Sequence, residues 1–358
     1  MLQDPIHVII VSSDYYIPYV SVLIRSMVDN KNNDDNLIIH IVSPDLKQET
    51  KDILNKTFKD VILDYLDVKP ALVDDFENCT LMHIKTNICN YKLKFAEILD
   101  LDKAICLEGD MVVLGSLSPL YNMDISSVPM AAVPDPICSS IQEYYDIPAK
   151  YKYVNTGFFL ANFKYWRKQG VAETFKKINE KYKKTKYFTS LLDQNIFNIA
   201  FYKNIKYLSY CYNFCAAIEY NNVSKDQLME NEPLVVHWAD WRKPWEQEVN
   251  LSNLFWYYAQ KTPYYGVILQ RMMKYNAQNI ENSVKSNSIG ICQADEYLYI
   301  SYVMQHPIYF RFKKFIYKLK KSLGKGKYKE KYRIKHAHIK TLLKKAKEYK
   351  KNIRKCNI

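Results

Sequence analysis

Short apolar runs alternate with segments of helical periodicity along the first third of the chain. Runs rich in Val, Ile and Leu predict strands at residues 7–11, 37–42, 61–68 and 105–115. Helical periodicity begins after residue 14, with Val20, Leu23, Ile24 and Met27 on one face, and recurs at residues 45–58 and 86–99. This alternation predicts an α/β fold with a mostly parallel sheet flanked by helices. In such sheets ligands bind beyond the carboxyl ends of the strands.

The first strand and the middle of the chain add further predicted elements. Ser12, Ser13 and Asp14 follow the first strand and are residue types that favour helix N-caps, and Pro18 then fits only near the first turn of the helix. Beyond residue 115 the pattern predicts a loop at residues 133–136, strands at 153–162 and 234–237, and helices at 166–182 and 191–200.

Two acids interrupt the apolar sequence ICLEGDMVVLG at residues 105–115. In a strand, Glu108 and Asp110 would point to the same face, with Gly109 leaving space between them. Buried carboxylates need a partner, and a divalent cation with oxygen ligands suits this pair. The alternative, a solvated turn, stays open on these residues alone.

Charge divides the chain into a slightly acidic body and a strongly basic tail. Residues 307–358 hold 20 Lys and Arg against 2 Asp and Glu, so the other residues carry 31 Lys and Arg against 36 Asp and Glu. The length and a hydrophobic content of 48% allow one large domain with an appendage. We expect a catalytic domain at residues 1–275, a connecting segment at 276–305 and a basic helical tail at 306–358.

The N-terminus and the cysteines indicate a cytosolic protein. Residues 1–5 have no basic n-region, so we expect no signal peptide, and no run reaches the roughly 18 apolar residues of a spanning helix. The eight cysteines are scattered, without a CxxC pair, which favours reduced thiols.

Six motifs occur in order: VSSDYY at 11–16, NYKLKFAEIL at 90–99, CLEGDMVV at 106–113, YVNTGFFLANFKYWR at 153–167, LLDQNIFN at 191–198 and VVHWADWRKPW at 235–245. Together they resemble the retaining glycosyltransferases of family 8, and in particular the bacterial galactosyl- and glucosyltransferases that build surface lipopolysaccharides and lipooligosaccharides. The resemblance spans roughly residues 6–270. It implies a GT-A fold, a UDP-hexose donor, a divalent cation (Mn²⁺ or Mg²⁺) and retention of anomeric configuration.

The resemblance also implies the metal ligands. Glu108, Gly109 and Asp110 match the DxD motif of the family, and His237 matches the third ligand. Lys243 matches a basic residue that contacts the diphosphate, although a solvated loop lysine is the simpler alternative. The chain departs from the family pattern where Glu replaces the first Asp of the motif, and again at Asp240, where the family has Gly.

Further donor-binding residues are implied in the same way. The uridine side would be formed by Val11, Ser12, Ser13, Asp14 and Tyr16, and the sugar side by Lys92, Asn155, Thr156, Gly157, Asp193 and Gln194. Asp193 and Gln194 would be catalytic: Asp193 binds sugar hydroxyls and Gln194 lies beneath the anomeric carbon. Because glutamine is a poor nucleophile, a front-face substitution is favoured over a double displacement.

The tail has apolar residues at helical spacing between lysines. The two stripes consist of Phe312, Phe315, Ile316, Leu319 and Leu323, and of Ile339, Leu342, Leu343, Ala346 and Ile353. Basic amphipathic helices of this kind lie on anionic membrane surfaces, so we expect peripheral association with the cytoplasmic face of a membrane. The alternatives are a solvated tail and a nucleic-acid-binding tail. Nucleic acid is not the expected partner, because it would leave the apolar stripes without a role.

The sequence thus predicts a metal-dependent retaining hexosyltransferase that acts on a lipid-linked glycan acceptor. Two alternatives come from other functional classes. One is a sugar-nucleotide-binding protein whose activity is impaired by the departures at Glu108 and Asp240. The other is a nucleic-acid binder that acts through the basic tail.

Overall fold

The computed structural model describes residues 4–76, 87–136, 138–185, 188–216, 232–239 and 242–285, with Lys314, Lys318, Lys340, Leu343 and Lys344. The chain divides into two compact units. One comprises Met1–Pro244 and Val249–Gln270, and the other comprises Trp245–Glu248 and Arg271–Ile358. The first unit contains both β-sheets and every candidate site residue that the structure describes.

The strands of the first unit form two sheets. They are β1 Ile6–Val11, β2 Leu37–Ser43, β3 Ile62–Asp67, β4 Lys103–Leu107, β5 Met111–Val113, β6 Met130–Pro134, β7 Val154–Asn162, β8 Ile205–Tyr207, β9 Phe214–Cys215 and β10 Val235–His237. The seven-stranded sheet has the order β3-β2-β1-β4-β7-β6-β8. Only β7 runs antiparallel to its neighbours, so the predicted mixed, mostly parallel sheet is confirmed. The second sheet has the order β5-β10-β9.

Helices connect and cover these strands. The α-helices are α1 Ile17–Asn30, α2 Gln48–Thr57, α3 Phe95–Ile98, α4 Ser118–Tyr121, α5 Phe163–Lys168, α6 Val171–Tyr182, α7 Leu192–Phe201, α8 Ser252–Ala259 and α9 Tyr265–Lys285. Short 3₁₀ helices occupy Asp14–Tyr16, Pro70–Val73, Asn87–Lys94, Cys138–Tyr145, Thr189–Leu191 and Tyr210–Tyr212. Helix α9 runs across residue 275, the predicted end of the catalytic domain.

Alternate strand residues pack on opposite faces of the large sheet, as strand geometry requires. Val8 and Ile10 of β1 belong to the core beneath α1, together with Val20, Leu23 and Ile24 of that helix. Ile9 belongs to the core on the other face, which is rich in aromatic side chains from β7 and α5 to α7, including Phe159, Phe163, Trp166, Phe175 and Phe197. Both faces are therefore covered, which explains why the central strands read as continuous apolar runs.

The prediction of one continuous strand at residues 105–115 is wrong. Strand β4 ends at Leu107, and β5 begins at Met111 in the other sheet. Glu108, Gly109 and Asp110 form the link between the two sheets. Glu108 N donates to Gly157 O, and Trp238 N donates to Asp110 O, so the backbone of the link is held by both sides. The two acids lie where two sheets meet and are not on the face of one strand.

The predicted boundaries of two helices need correction. Ser12, Ser13 and Asp14 do not cap α1, because the 3₁₀ turn Asp14–Tyr16 intervenes and α1 begins at Ile17 with Pro18 in its first turn. The predicted helix at 86–99 is mostly the 3₁₀ helix Asn87–Lys94, which continues into α3. Five consecutive side chains of that 3₁₀ helix, from Asn90 to Lys94, are buried, and no single α-helical stripe can bury five neighbours.

Two predictions in the middle of the chain are also corrected. Residues 133 and 134 belong to β6 and not to a loop. Pro134 lies at an irregularity in the pairing of β6 with β7, where a missing N–H is tolerated. The predicted helix at 166–182 is two helices, α5 and α6, which meet at Gly170 with φ of +60°. The predicted strand at 153–162 and helix at 191–200 correspond to β7 and α7.

Most of the tail lies outside the described residues, as do Asp240 and most side chains of the two predicted apolar stripes. The described tail residues, Lys314, Lys318, Lys340, Leu343 and Lys344, are helical. Within the described part of the chain, no helix has both the length and the apolarity needed to cross a membrane. Cys89, Cys106, Cys211 and Cys215 are free thiols.

Candidate active site

The candidate site lies where β4 ends and the antiparallel strand β7 begins. Leu107 pairs with Phe158, which places Glu108 beside Asn155, Thr156 and Gly157. In the second sheet His237 pairs with Met111, so the end of β10 meets the same link from the other side. The structure thus brings together residues predicted from three separate motifs.

Glu108, Asp110 and His237 form a cluster whose ligand atoms lie within 4.8 Å of one another. His237 Nε2 is 3.3 Å from Asp110 Oδ1 and 3.5 Å from Glu108 Oε2. Gly157 leaves the space that this cluster occupies. A Cβ atom at Gly157 would lie 2.5 Å from His237 Cε1 and 2.7 Å from Glu108 Oε2.

The protonation of His237 suits a metal ligand. Its Nδ1 lies 2.9 Å from Asn213 Oδ1, an acceptor, so Nδ1 carries a proton. Nε2 is buried and makes no hydrogen bond to any described residue. One imidazole nitrogen and two carboxylates form a set of ligands that binds Mn²⁺ and other divalent cations. The residues present therefore fit a divalent cation.

Electrostatics support the same interpretation. Burial alone would raise the pKa of Glu108, but Lys92 and His237 lower it to about 2. Burial also opposes ionisation of Asp110, yet Lys243 and His237 bring its pKa well below the usual range. Burial would lower the pKa of His237, but Asp110 and Glu108 raise it well above the usual value. Both carboxylates are thus ionised, as metal ligands must be, and a bound metal would replace the His237 proton.

Two lysines neutralise the carboxylates. Lys243 Nζ lies 2.6 Å from Asp110 Oδ2 and donates to Trp238 O at the same distance. Lys92 is only 4% exposed, and its Nζ lies 2.5 Å from Glu108 Oε1 and 3.0 Å from Asp193 Oδ2. Burial would lower the pKa of Lys92, but Asp193 and Glu108 raise it well above its usual value. Lys92 is therefore a buried cation shared by two acids and not a solvated helix lysine.

The polar residues of β7 and α7 face the same region. Asp193 and Gln194 lie in the first turn of α7, and both are buried. Gln194 Oε1 accepts from Thr156 N at 3.1 Å, and Gln194 Nε2 donates to Asp135 Oδ2 at 3.1 Å. Burial raises the pKa of Asp193, Lys92 opposes this, and Glu108 adds to it.

The residues after β1 lie beside the link but have structural contacts of their own. The Asp14 carboxylate accepts from Lys47 N at 3.1 Å and from Thr50 Oγ1 at 2.6 Å, so it caps α2. Ser12 Oγ donates to Ser13 O. The Tyr16 ring lies against Gly109, where an added Cβ would be 3.2 Å from the ring and 2.8 Å from Val20 Cγ2. Val11, the last residue of β1, is half-buried.

Two residues of this network, Asp135 and Asn213, are not among the predicted site residues. Asp135 is 4% exposed and accepts hydrogen bonds from Asn155 Nδ2 and Gln194 Nε2. Asn213 is 1% exposed and contacts His237 and Asn155. Asp135 follows the apolar run of β6 as Glu108 follows that of β4, and that pattern could have identified it. Asn213 has no comparable signal, because its role depends on residues far along the chain.

Comparison with known proteins agrees with this geometry. The sequence is 25% identical over 252 residues to the glycosyltransferase GlyF of Streptococcus pneumoniae, covering 68% of this chain and 58% of that relative. It is 27% identical over 254 residues to a putative glycosyltransferase of Haemophilus influenzae, covering 68% of this chain and 74% of that protein.

Solved structures share the fold. A structure of the galactosyltransferase LgtC in complex with donor and acceptor sugar analogues matches with a TM-score of 0.63 and 21% identity, covering 72% of this chain and 96% of LgtC. The glycosyltransferase GlyE of Streptococcus pneumoniae matches with a TM-score of 0.55 and 19% identity, covering 76% of this chain and 64% of GlyE. The predicted GT-A fold is thereby confirmed. A family model described as Glycosyl transferase family 8 matches residues 7–248, and the chain belongs to that family.

Proposed function

We propose that this glycosyltransferase moves galactose or glucose from a UDP-sugar to a glycan acceptor, with retention of configuration. The acceptor would be a lipopolysaccharide or lipooligosaccharide core, or another lipid-linked surface glycan. The observation that carries the proposal is the cluster of Glu108 with the buried Asp110 and His237. It lies next to Asp193 and Gln194, which are also buried. It supports a divalent-cation site beside buried groups that can bind sugar hydroxyls.

Mn²⁺ or Mg²⁺ would be held by Glu108, Asp110 and His237. When bound, the cation would stabilise the negative charge that develops on the UDP leaving group. Glu108 would serve as a ligand despite the family preference for Asp at this position, because its longer side chain reaches both Lys92 and the neighbourhood of His237. Lys243, which already lies against Asp110, would contact the diphosphate.

The remaining predicted residues would bind the donor. Asp193 would accept hydrogen bonds from sugar hydroxyls, and Lys92 would hold Asp193 and Glu108 in place. Asn155, Thr156 and Gly157 would face the sugar. The residues after β1, Val11 to Tyr16, would line the uridine side. The Asp14 carboxylate is engaged by α2, and its backbone N–H donates to Asp45 Oδ1.

The transfer step would be a front-face substitution. The bond from the anomeric carbon to the diphosphate oxygen breaks, the acceptor oxygen bonds to the same carbon from the same face, and the acceptor proton passes to the departing phosphate. Gln194 Oε1 accepts one hydrogen bond from Thr156 N, which leaves a second lone pair for the positive charge on the sugar. Amide orientation therefore matters more than nucleophilicity at this residue.

The enzyme would work at the cytoplasmic face of a membrane, reached through the basic tail. Residues 307–358 have a net charge of +18, from 20 basic and 2 acidic residues. Such a segment is attracted to anionic lipid. Vesicles that contain anionic lipid should bind the full chain, and competing RNA should not displace it.

Release of UDP from a panel of UDP-sugars tests the proposal. The purified protein is assayed with Mn²⁺, with Mg²⁺ and with EDTA, and Asp110→Asn serves as the matched inactive variant. Metal-dependent release from one UDP-hexose supports the proposal and names the donor. Tight UDP binding without release in the presence of acceptor glycans would indicate the impaired binding protein, and absence of UDP binding would exclude a UDP-sugar enzyme.

A further inference from the structure

A buried chain of side-chain hydrogen bonds runs from His237 to Gln194. It passes through Asn213, Asn155 and Asp135, with distances of 2.9, 2.9, 3.1 and 3.1 Å between successive partners. Every member is at most 8% exposed. Leaving a buried amide without its hydrogen-bond partner costs substantial free energy. Each side chain in the chain of bonds therefore restricts the orientation of the next one.

The directions of the three bonds from His237 to Asp135 follow from one backbone group. Gly157 N donates to Asn155 Oδ1 at 3.0 Å, which fixes this oxygen as the acceptor and turns Asn155 Nδ2 towards Asp135. Asn213 must then present its Nδ2 to Asn155 Oδ1 and its Oδ1 to His237. His237 consequently donates from Nδ1 and keeps Nε2 for the carboxylate cluster.

The other end of the chain fixes Gln194. Asp135 Oδ2 accepts from both Asn155 Nδ2 and Gln194 Nε2, and a carboxylate cannot donate in return. The Gln194 amide is therefore oriented with Oε1 towards Thr156 N, and a flipped amide would place its oxygen against Asp135. The same carboxylate thus orients groups on β7 and on α7.

We propose that Asn213 is a positioning residue that joins the metal ligand His237 to the sugar-facing residue Gln194. Its oxygen selects the His237 tautomer that can bind a metal, and its amide NH₂ transmits that orientation through Asn155 and Asp135. This proposal rests on the proposed function, since it assigns Asn213 a role in the same metal and sugar site. Asn213 acts through its neighbours and touches none of the reacting atoms.

Two substitutions separate the two roles of Asn213. Asn213→Leu removes both the acceptor for His237 and the donor to Asn155. Asn213→Asp keeps an acceptor for His237 but places a second oxygen against Asn155 Oδ1. Asn213→Leu should weaken Mn²⁺ binding about 10- to 100-fold. Asn213→Asp should bind Mn²⁺ at least as tightly as the unaltered protein, with a kcat lower by about 10-fold or more.

Asn162→Leu is the matched control. Asn162 is a buried asparagine at the far end of β7 that bonds to Ile125 O and Val128 O and lies outside the chain of bonds. Its loss should lower stability without changing Mn²⁺ affinity or kcat. Mn²⁺ affinity is measured by electron paramagnetic resonance with UDP present, kcat by UDP release, and folding by circular dichroism.

The outcomes are distinct. Unchanged Mn²⁺ affinity in Asn213→Leu, or unchanged kcat in Asn213→Asp, would overturn this proposal alone. If Asn162→Leu also loses Mn²⁺ affinity, the effect arises from general destabilisation of β7 and not from a specific role of Asn213. That result would overturn this proposal too. Absence of Mn²⁺ binding by the unaltered protein would overturn the proposed function, and this proposal with it.

Discussion

Gly157 lies directly against His237, and a Cβ atom at residue 157 would be 2.5 Å from His237 Cε1. The same atom would be 2.7 Å from Glu108 Oε2. The glycine is needed because the β7 backbone passes so close to the proposed metal ligands. Its small size, and not an unusual backbone angle, makes the cluster possible.

Gly157→Ala should therefore displace His237 or Glu108 and weaken Mn²⁺ binding by about 10-fold or more. Isothermal titration of Mn²⁺ in the presence of UDP measures the effect. Gly266→Ala is the matched control, because an added Cβ at Gly266 meets nothing within 4 Å. Equal Mn²⁺ affinity in the two variants would show that the close approach at Gly157 has no functional consequence.

Lys92→Met should lower the free energy of unfolding by about 3 kcal/mol, because it leaves Glu108 and Asp193 without their shared cation. Urea unfolding at neutral pH measures this loss. The double variant Lys92→Met with Asp193→Asn removes one of the two carboxylates that have lost their cation, and it should recover part of the lost stability. Additive losses in the double variant would contradict the proposed pairing.

Gln194→Glu should place a second carboxylate against Asp135, at a site where Gln194 Nε2 now donates over 3.1 Å. The repulsion raises the pKa of the pair in the folded protein, so the cost is full at neutral pH and disappears as the pair takes up a proton on acidification. We expect a loss of about 2 kcal/mol in urea unfolding at neutral pH. Adding Asp135→Asn should remove most of this loss, and a loss that is independent of both pH and Asp135 would refute the explanation.

Asp14 should contribute to stability through α2 and in a pH-dependent way. Partial burial works to raise its pKa, but hydrogen bonds from Thr50 and Lys47 lower it below the usual value. A lowered pKa in the folded state means that the contribution is present above the unfolded pKa, about 3.9, and is lost as pH falls through the folded pKa.

Asp14→Ala should therefore cost about 1 kcal/mol at neutral pH and less on acidification below about pH 4. Urea unfolding across this range measures it, with the exposed Asp60→Ala as control. If Asp14→Ala costs the same at both ends of the range, the carboxylate does not stabilise α2 through its charge.

The fold was largely predictable because β1, β2 and β4 are buried on both faces and consist mainly of apolar residues. The break between β4 and β5 was not, since Met111, Val112 and Val113 are as apolar as the strand before them. Only tertiary pairing with β10 assigns them to a second sheet. The 3₁₀ helix at Asn87–Lys94 was missed for a related reason, because burial of Lys92 depends on the distant acids Glu108 and Asp193.

Candidate site residues could be predicted where a motif placed them at the end of an apolar run, as with Glu108 and His237. Their environment could not be predicted. Lys92 meets Glu108 and Asp193, which are 16 and 101 residues away in sequence, and periodicity contains no information on such contacts. The contact of Asn213 with His237 is likewise not predictable from periodicity, since it depends on the pairing of the short strand β9 with β10.

The central claim is that Glu108, Asp110 and His237 hold a divalent cation that serves UDP binding. Titration of UDP with Mn²⁺ and with EDTA, in the unaltered protein and in His237→Gln, tests it most directly. We expect UDP to bind about 10-fold or more tightly with Mn²⁺, and this gain to be absent in His237→Gln. Equal UDP affinity with Mn²⁺ and with EDTA in the unaltered protein would contradict the claim.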